Sequence, residues 1–144
     1  MRVIVQRVKD AFVTVNDVRV GSINHGYLLY IGIHVDDTME TVQKMADKIH
    51  LLRIFEDDQG KMNLNLSAVQ GSILAISQFT LYGNTKGNNR PSFIEAARPG
   101  HAEPLYDFLC QMLSIHHRVE KGVFGEHMEI HAINDGPVTI LIEI

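Results

Sequence analysis

Two short stretches hold the residue types from which a reactive site could be built: Ser77-Gln78-Phe79-Thr80 and Asn134-Asp135-Gly136-Pro137-Val138-Thr139. The first stands where an apolar run, Ser72 to Gln78, gives way to a loop, so main-chain N–H groups come free of a strand ladder there. Donors of that kind can form an oxyanion hole, and one well-aimed donor is worth about 10²–10³ in rate. The hydroxyls of Ser77 and Thr80 are potential nucleophiles, but activation needs a base within hydrogen-bond reach. The chain has no GxSxG elbow and no recognisable triad spacing. In the second stretch, Gly136 lacks the Cβ that keeps other molecules off the main chain, and an X-Pro bond holds only about 0.5–1 kcal/mol of trans preference. Taken alone, this hexapeptide also reads as a hairpin turn made of ordinary turn residues.

Eight histidines raise the question of a metal, and His127 and His131 fall four residues apart on a strand-like run. No HExxH, cysteine cluster or carboxylate-rich set accompanies them, so neither a metal nor a cofactor is expected. Cys110, the one cysteine, lies in an apolar helical stretch and reads as a buried thiol.

The elements that must position these residues follow from periodicity. Val3 to Val8 and Phe12 to Val15 are short β-branched runs with turn residues at Lys9-Asp10 and Asn16-Asp17, which predicts a hairpin-rich start. Tyr27 to Val35 is almost continuously apolar, as a strand buried on both faces is. Asp37 and Glu40 have the spacing of a capping box, and Met39, Val42, Met45, Ala46, Ile49 and Leu52 recur at helical intervals, with Glu40, Lys44, Asp47 and Lys48 on the opposite face. Asp57 to Gly60 is a turn, and Met62 to Leu66 alternates as a strand.

Gly83 to Gly100 lacks periodicity and predicts a long loop. Its Lys86, Arg90 and Arg98 stand against Glu95 alone, a surplus of two positive charges suited to phosphates. Ala102 to His117 predicts a second helix, with Pro104 in its first turn, His116-His117 at its negative end, and Leu105, Phe108, Leu109, Met112 and Leu113 on its buried side. Val119 to Phe124, Met128 to Ile133 and Val138 to Ile144 predict closing strands. The expected fold is α+β, a mainly β core with two packed helices, in a single domain spanning 1–144.

At 45% apolar and 21% charged, the 144 residues have the composition of a globular protein. No apolar run reaches the length of a membrane span, and charge at Arg2 and Arg7 comes too early for a signal peptide, which points to a cytoplasmic protein. The net charge of −4 argues against bulk attraction to nucleic acid. A non-enzymatic RNA-binding module is disfavoured for that reason and for want of an RRM or KH signature. A plain hydrolase of small esters or peptides stays open as a rival.

Together, Ser77-Gln78-Phe79-Thr80-Leu81 and Asn134 to Thr139, with Gln6-Arg7-Val8, Lys61-Met62-Asn63-Leu64, Arg90-Pro91-Ser92-Phe93 and Gly122-Val123-Phe124-Gly125, resemble the bacterial D-aminoacyl-tRNA deacylases over essentially the full length. The resemblance implies an ester hydrolase that removes D-amino acids from tRNA and works as a cytoplasmic homodimer with a mainly antiparallel, β-barrel-like core. It implies that the Gly136-Pro137 bond is cis and that this segment enters the partner subunit's pocket as a chiral gate, held by Arg7. It further implies that Ser77, Gln78, Phe79 and Thr80 line the pocket with main-chain N–H groups near Gln78 and Phe79 facing the scissile carbonyl, and that Phe124 and Met128 neighbour the terminal adenosine. Whether Thr80 attacks the ester or the ribose 2′-hydroxyl assists stays open.

Overall fold

The computed structural model describes residues 1–144. In chain order the elements are β1 (Arg2–Val15), β2 (Val18–Ile23), β3 (Gly26–Gly32), α1 (Met39–Leu51), β4 (Arg53–Glu56), β5 (Met62–Asn65), β6 (Ser72–Ser77), a 3-10 helix (Phe79–Tyr82), α2 (Pro99–Ser114), β7 (Val119–Lys121) and β8 (Glu129–Glu143). The opening is one long strand, and Lys9-Asp10 is no turn. Asn16 and Asp17 are one: both have φ in the left-handed region, as a two-residue hairpin between β1 and β2 requires.

The main sheet runs β2-β1-β3-β6-β7, with β8 added along β1. It is mixed, because β3–β6 and β6–β7 are parallel. The reason is connectivity: β3 reaches β6 through α1 and the β4–β5 hairpin, and β6 reaches β7 through α2. Such long crossovers are what parallel neighbours need. The sheet curls almost into a barrel. A Cβ on Gly21 of β2 would sit 2.8 Å from the Lys121 carbonyl of β7, so glycine lets the two ends approach.

Alternation then divides the core. Tyr27, Leu29, Ile31, Ile73 and Ala75 face α1 and α2, while Leu28, Leu74 and Ile76 join Val8, Ala11, Val13 and Ile23 in a second apolar cluster. β3 is therefore buried on both faces, as its unbroken apolar run predicts. Tyr106 anchors α2 by donating its hydroxyl to the Ala75 carbonyl at 2.9 Å, and burial raises its pKa.

Both helices begin differently from expectation. Thr38, not Asp37, caps α1, in a reciprocal box with Thr41, and Met39 is exposed. Asp37 is buried instead, accepting from the Met1 ammonium at 2.7 Å and the His34 N–H at 2.6 Å. α2 starts at Pro99, whose fixed φ suits the first helical position, and this leaves Pro104 inside the helix beyond the first turn. Phe108 and Met112 are half-buried, whereas Tyr106 and Cys110 share the buried side with Leu105, Leu109 and Leu113.

Candidate active site

Where β6 ends, the chain continues the parallel ladder one step further: the Gln78 N–H donates to the Ile31 carbonyl at 2.7 Å. It then turns into the 3-10 helix, closed by Leu81 N–H to Gln78 O at 3.3 Å and Gly83 N–H to Thr80 O at 2.9 Å. Residues that open such a helix have no carbonyl behind them, so the N–H groups of Phe79 and Thr80 have no protein partner. The donor expected near Gln78 is thus already engaged, and Phe79 and Thr80 carry the free ones.

The turn is fixed from below and from the side. A Cβ on Gly32 would meet Leu81 Cβ at 3.0 Å and Gln78 O at 3.1 Å, so β3 must offer glycine for the turn to lie this close. Arg2 donates to the Leu81 carbonyl at 2.9 Å and to Glu143 at 2.5 Å, tying the turn to both chain ends.

A cavity of about 610 Å³ opens beside this turn. Ser77, Gln78 and Phe79 form one wall, Phe124 and Met128 another, and Ile31 and Ile76 from the sheet, with Ile33 just beyond β3, add apolar lining. Phe79 meets Phe93 edge to face at 5.1 Å, and Phe124 packs on Tyr106 at 5.9 Å. Gly122 makes room for Met128, since a Cβ there would lie 2.5 Å from its sulfur. Arg98, Glu126 and His127 add charged or titratable side chains to the lining, and none has a salt bridge.

Five of the residues expected at a site, Ser77, Gln78, Phe79, Phe124 and Met128, therefore surround one cavity. Thr80, Arg7, Gly136 and Pro137 do not line it. Thr80 is exposed, and its hydroxyl is hydrogen-bonded by Gln78 Nε2.

The Gly136-Pro137 segment lies within β8, one continuous strand where two were expected. Gln6 pairs with Thr139 and Val8 with Asn134, so the four residues 135–138 face Arg7 alone and must bulge out of the ladder. Gly136 has φ of 124°, in the region that favours glycine, and its bond to Pro137 is cis. Arg7 pins the base of the bulge. Its Nε lies 3.2 Å from both the carbonyl and a carboxylate oxygen of Asp135, and its Nη1 donates to the Ile54 carbonyl at 2.7 Å. Its side chain is only 6% exposed, so these contacts are poorly accessible to water.

Sequence reasoning gave no role to Ile31, Ile33, Phe93, Glu126 or His127 in the cavity. The isoleucines carry no signal that separates a cavity wall from core. His127 was paired with His131 by spacing, yet His131 stacks on Phe12 at 4.4 Å while His127 lines the cavity. Cys110 is buried, and burial pushes its thiol up to about 11.

The sequence model of the family described as D-Tyr-tRNA(Tyr) deacylase matches residues 4–143. The D-aminoacyl-tRNA deacylase of Halalkalibacterium halodurans is 53% identical over 146 residues, covering 99% of each chain. That of a Geobacillus species is 53% identical over 144 residues, covering 99% of this chain and 95% of its own. Among solved structures, the c-Myc DNA Unwinding Element Binding Protein superposes with a TM-score of 0.94 at 37% identity, covering 100% of this chain and 99% of that one. A probable eukaryotic D-amino acid tRNA deacylase, at 20% identity and a TM-score of 0.86 over 99% and 98% of the two chains, shares the fold. With its whole length matched in sequence and its nearly closed sheet matched in shape, the chain belongs to the D-Tyr-tRNA(Tyr) deacylase family.

Proposed function

We propose that this protein hydrolyses the ester joining a D-amino acid to the 3′ end of tRNA, releasing the free amino acid and the tRNA. The observation that carries the reading is the cavity. The end of β6 and Phe79, whose N–H has no protein partner, line one concave space with Phe124 and Met128, in a chain of this family. Its volume of about 610 Å³ lies in the range of small-ligand sites, about 300–1,000 Å³. The terminal adenosine lies against Phe124 and Met128, Ser77 and Gln78 border the ester, and the Phe79 N–H stabilises the oxyanion as it forms. The ribose 2′-hydroxyl beside the ester assists the attack of water, and the protein mainly holds the substrate in place.

Chirality is read by the Gly136-Pro137 bulge of a second copy of the chain, entering this cavity in a homodimer. Support comes from the bulge being exposed, absent from its own chain's cavity lining, and pinned by a buried arginine. Main-chain oxygens there face the substrate's α-carbon. A D side chain points outward, whereas an L side chain is driven into the bulge. Steric exclusion of this kind can exceed the factor of about 10–200 that a methylene-sized difference supplies, and it leaves side-chain identity unread.

The test is deacylation of D-tyrosyl-, L-tyrosyl- and glycyl-tRNA by the purified protein. Hydrolysis of the D ester and the glycyl ester, with the L ester intact, is the expected pattern. An intact D ester overturns the activity. A cleaved D ester beside a resistant glycyl ester overturns the gate, because glycine has no side chain to exclude.

A further inference from the structure

The loop between the 3-10 helix and α2 has a structure that its composition does not announce. Asn84 and Ser92 exchange both backbone hydrogen bonds, at 2.8 and 2.9 Å, and so form the neck of a small hairpin. Its tip is held by its own chain alone. The Asn84 and Asn88 side chains accept from the N–H groups of Lys86 and Arg90 at 2.9 and 3.1 Å, Thr85 O accepts from Asn88 N–H at 3.2 Å, and Gly87 turns the chain at φ of 76°. Every residue from Gly83 to Arg90 is exposed, and a Cβ on Gly87 would touch nothing within 4 Å. From Asn84 to Pro91 the arm has no buried or half-buried residue, so core packing gives no account of its shape.

Both feet of this arm stand on the cavity wall. Phe93, which follows Ser92, lines the cavity and packs on Phe79. Gly83, which precedes Asn84, lies so near that a Cβ there would meet the Phe93 ring and the Thr80 carbonyl, each at 3.0 Å. The arm carries Lys86 and Arg90, neither in a salt bridge, on a chain whose net charge is −4. Glu95, the acidic residue nearest in sequence, lines a different cleft with Met1, Arg2 and Asp37. Among the residues lining the cavity, Arg98 and Glu126 are the charged ones, so the cavity wall carries no surplus of its own and the arm supplies the cations.

We infer that the Asn84–Ser92 hairpin is a phosphate-binding arm that grips the RNA strand leading into the cavity, with Lys86 and Arg90 on successive phosphodiesters. This rests on the proposed activity for the identity of the strand. A side of four to five residues extends at most about 16 Å, and the turn from Thr85 to Asn88 shortens this arm, so its cations serve the phosphates nearest the cavity. Unpaired cations on a scaffold fixed by its own side chains neutralise phosphates without losing a protein partner, and the acidic remainder of the surface keeps RNA from binding elsewhere.

The experiment compares the parent chain with the K86Q/R90Q variant on two substrates: D-tyrosyl-tRNA, and D-tyrosyl-adenosine, which has no phosphates. Binding of uncharged tRNA is followed by fluorescence anisotropy across a salt series. At near-physiological salt, kcat/KM for the tRNA ester should fall on the order of tenfold relative to that for the adenosine ester. The slope of log K against log salt should become shallower by about 1.4–1.8, the loss of two phosphate contacts. An unchanged substrate ratio and salt slope, with the parent cleaving the D ester, overturns the arm and leaves the activity standing. A parent that cleaves neither ester but binds tRNA with a slope that the variant flattens overturns the activity and supports the arm.

Discussion

Thr80 is the residue whose chemistry was hardest to read from its type. Its hydroxyl is bonded to the Gln78 amide, which is no base, and no imidazole or carboxylate contacts it. T80A should accordingly keep deacylation within about tenfold of the parent, an effect of lost positioning rather than of a lost nucleophile. Loss of all activity in single-turnover assays, with folding intact, would restore Thr80 as the attacking group. Arg7 is the contrary case, since a cation in an apolar opening strand declares its partner, the Gly136-Pro137 segment, only through the family resemblance. Its guanidinium spans two segments, the Ile54 carbonyl and Asp135, from a buried position. R7A should lower stability by about 2–3 kcal/mol in urea titration, because it strands a buried carbonyl and frees the bulge. R7K should recover little of this, as one ammonium cannot reproduce the planar fork.

At the scale of elements, the C-terminal ends of α1 and α2 meet through histidines. His50 Nδ1 lies 3.0 Å from His117 Nε2, and the His50 and His116 rings stack at 4.2 Å. His117 is buried, and burial first, then the nearby His50 and His116, lowers its pKa from the ordinary value of 6.5. A depressed histidine pKa means that the unfolded chain binds the proton more readily. Its contribution is therefore full above about 6.5 and declines as pH falls from there toward the folded-state value. Urea midpoints measured from pH 7.5 to 5 should drop through this window, and H117Q should flatten the drop. An equal slope in both proteins would refute the assignment. The spacing of His116-His117 at a helix end was legible, but His50 as their neighbour was not, because it comes from another helix 67 positions away. β8 fails in a similar way: Asn-Asp-Gly-Pro reads as a break between strands, and only pairing to β1 turns it into a bulge inside one strand.

For the whole molecule, the two apolar clusters sit on opposite faces of the same strands, β3 and β6. Neither can come apart without exposing the other, so we expect residues 1–144 to behave as one domain with one cooperative transition. Far-UV circular dichroism and tyrosine fluorescence should give coincident urea curves at a fixed protein concentration, and separated curves would show two folding units. The sequence by itself determined the greater part of both helix faces, the doubly buried β3, the Asn16-Asp17 turn and the two motifs on which family membership rests, because each is written in contacts only a few residues apart or in local backbone freedom. Tertiary structure alone decided that β3, β6 and β7 run parallel, that the sheet curls nearly closed, that the Gln78 N–H is taken by Ile31, and that the Gly136-Pro137 bulge does not line its own chain's cavity. Those facts depend on which strand lies beside which. That is set by the burial of surfaces drawn from the whole chain, and no short window of residues carries it.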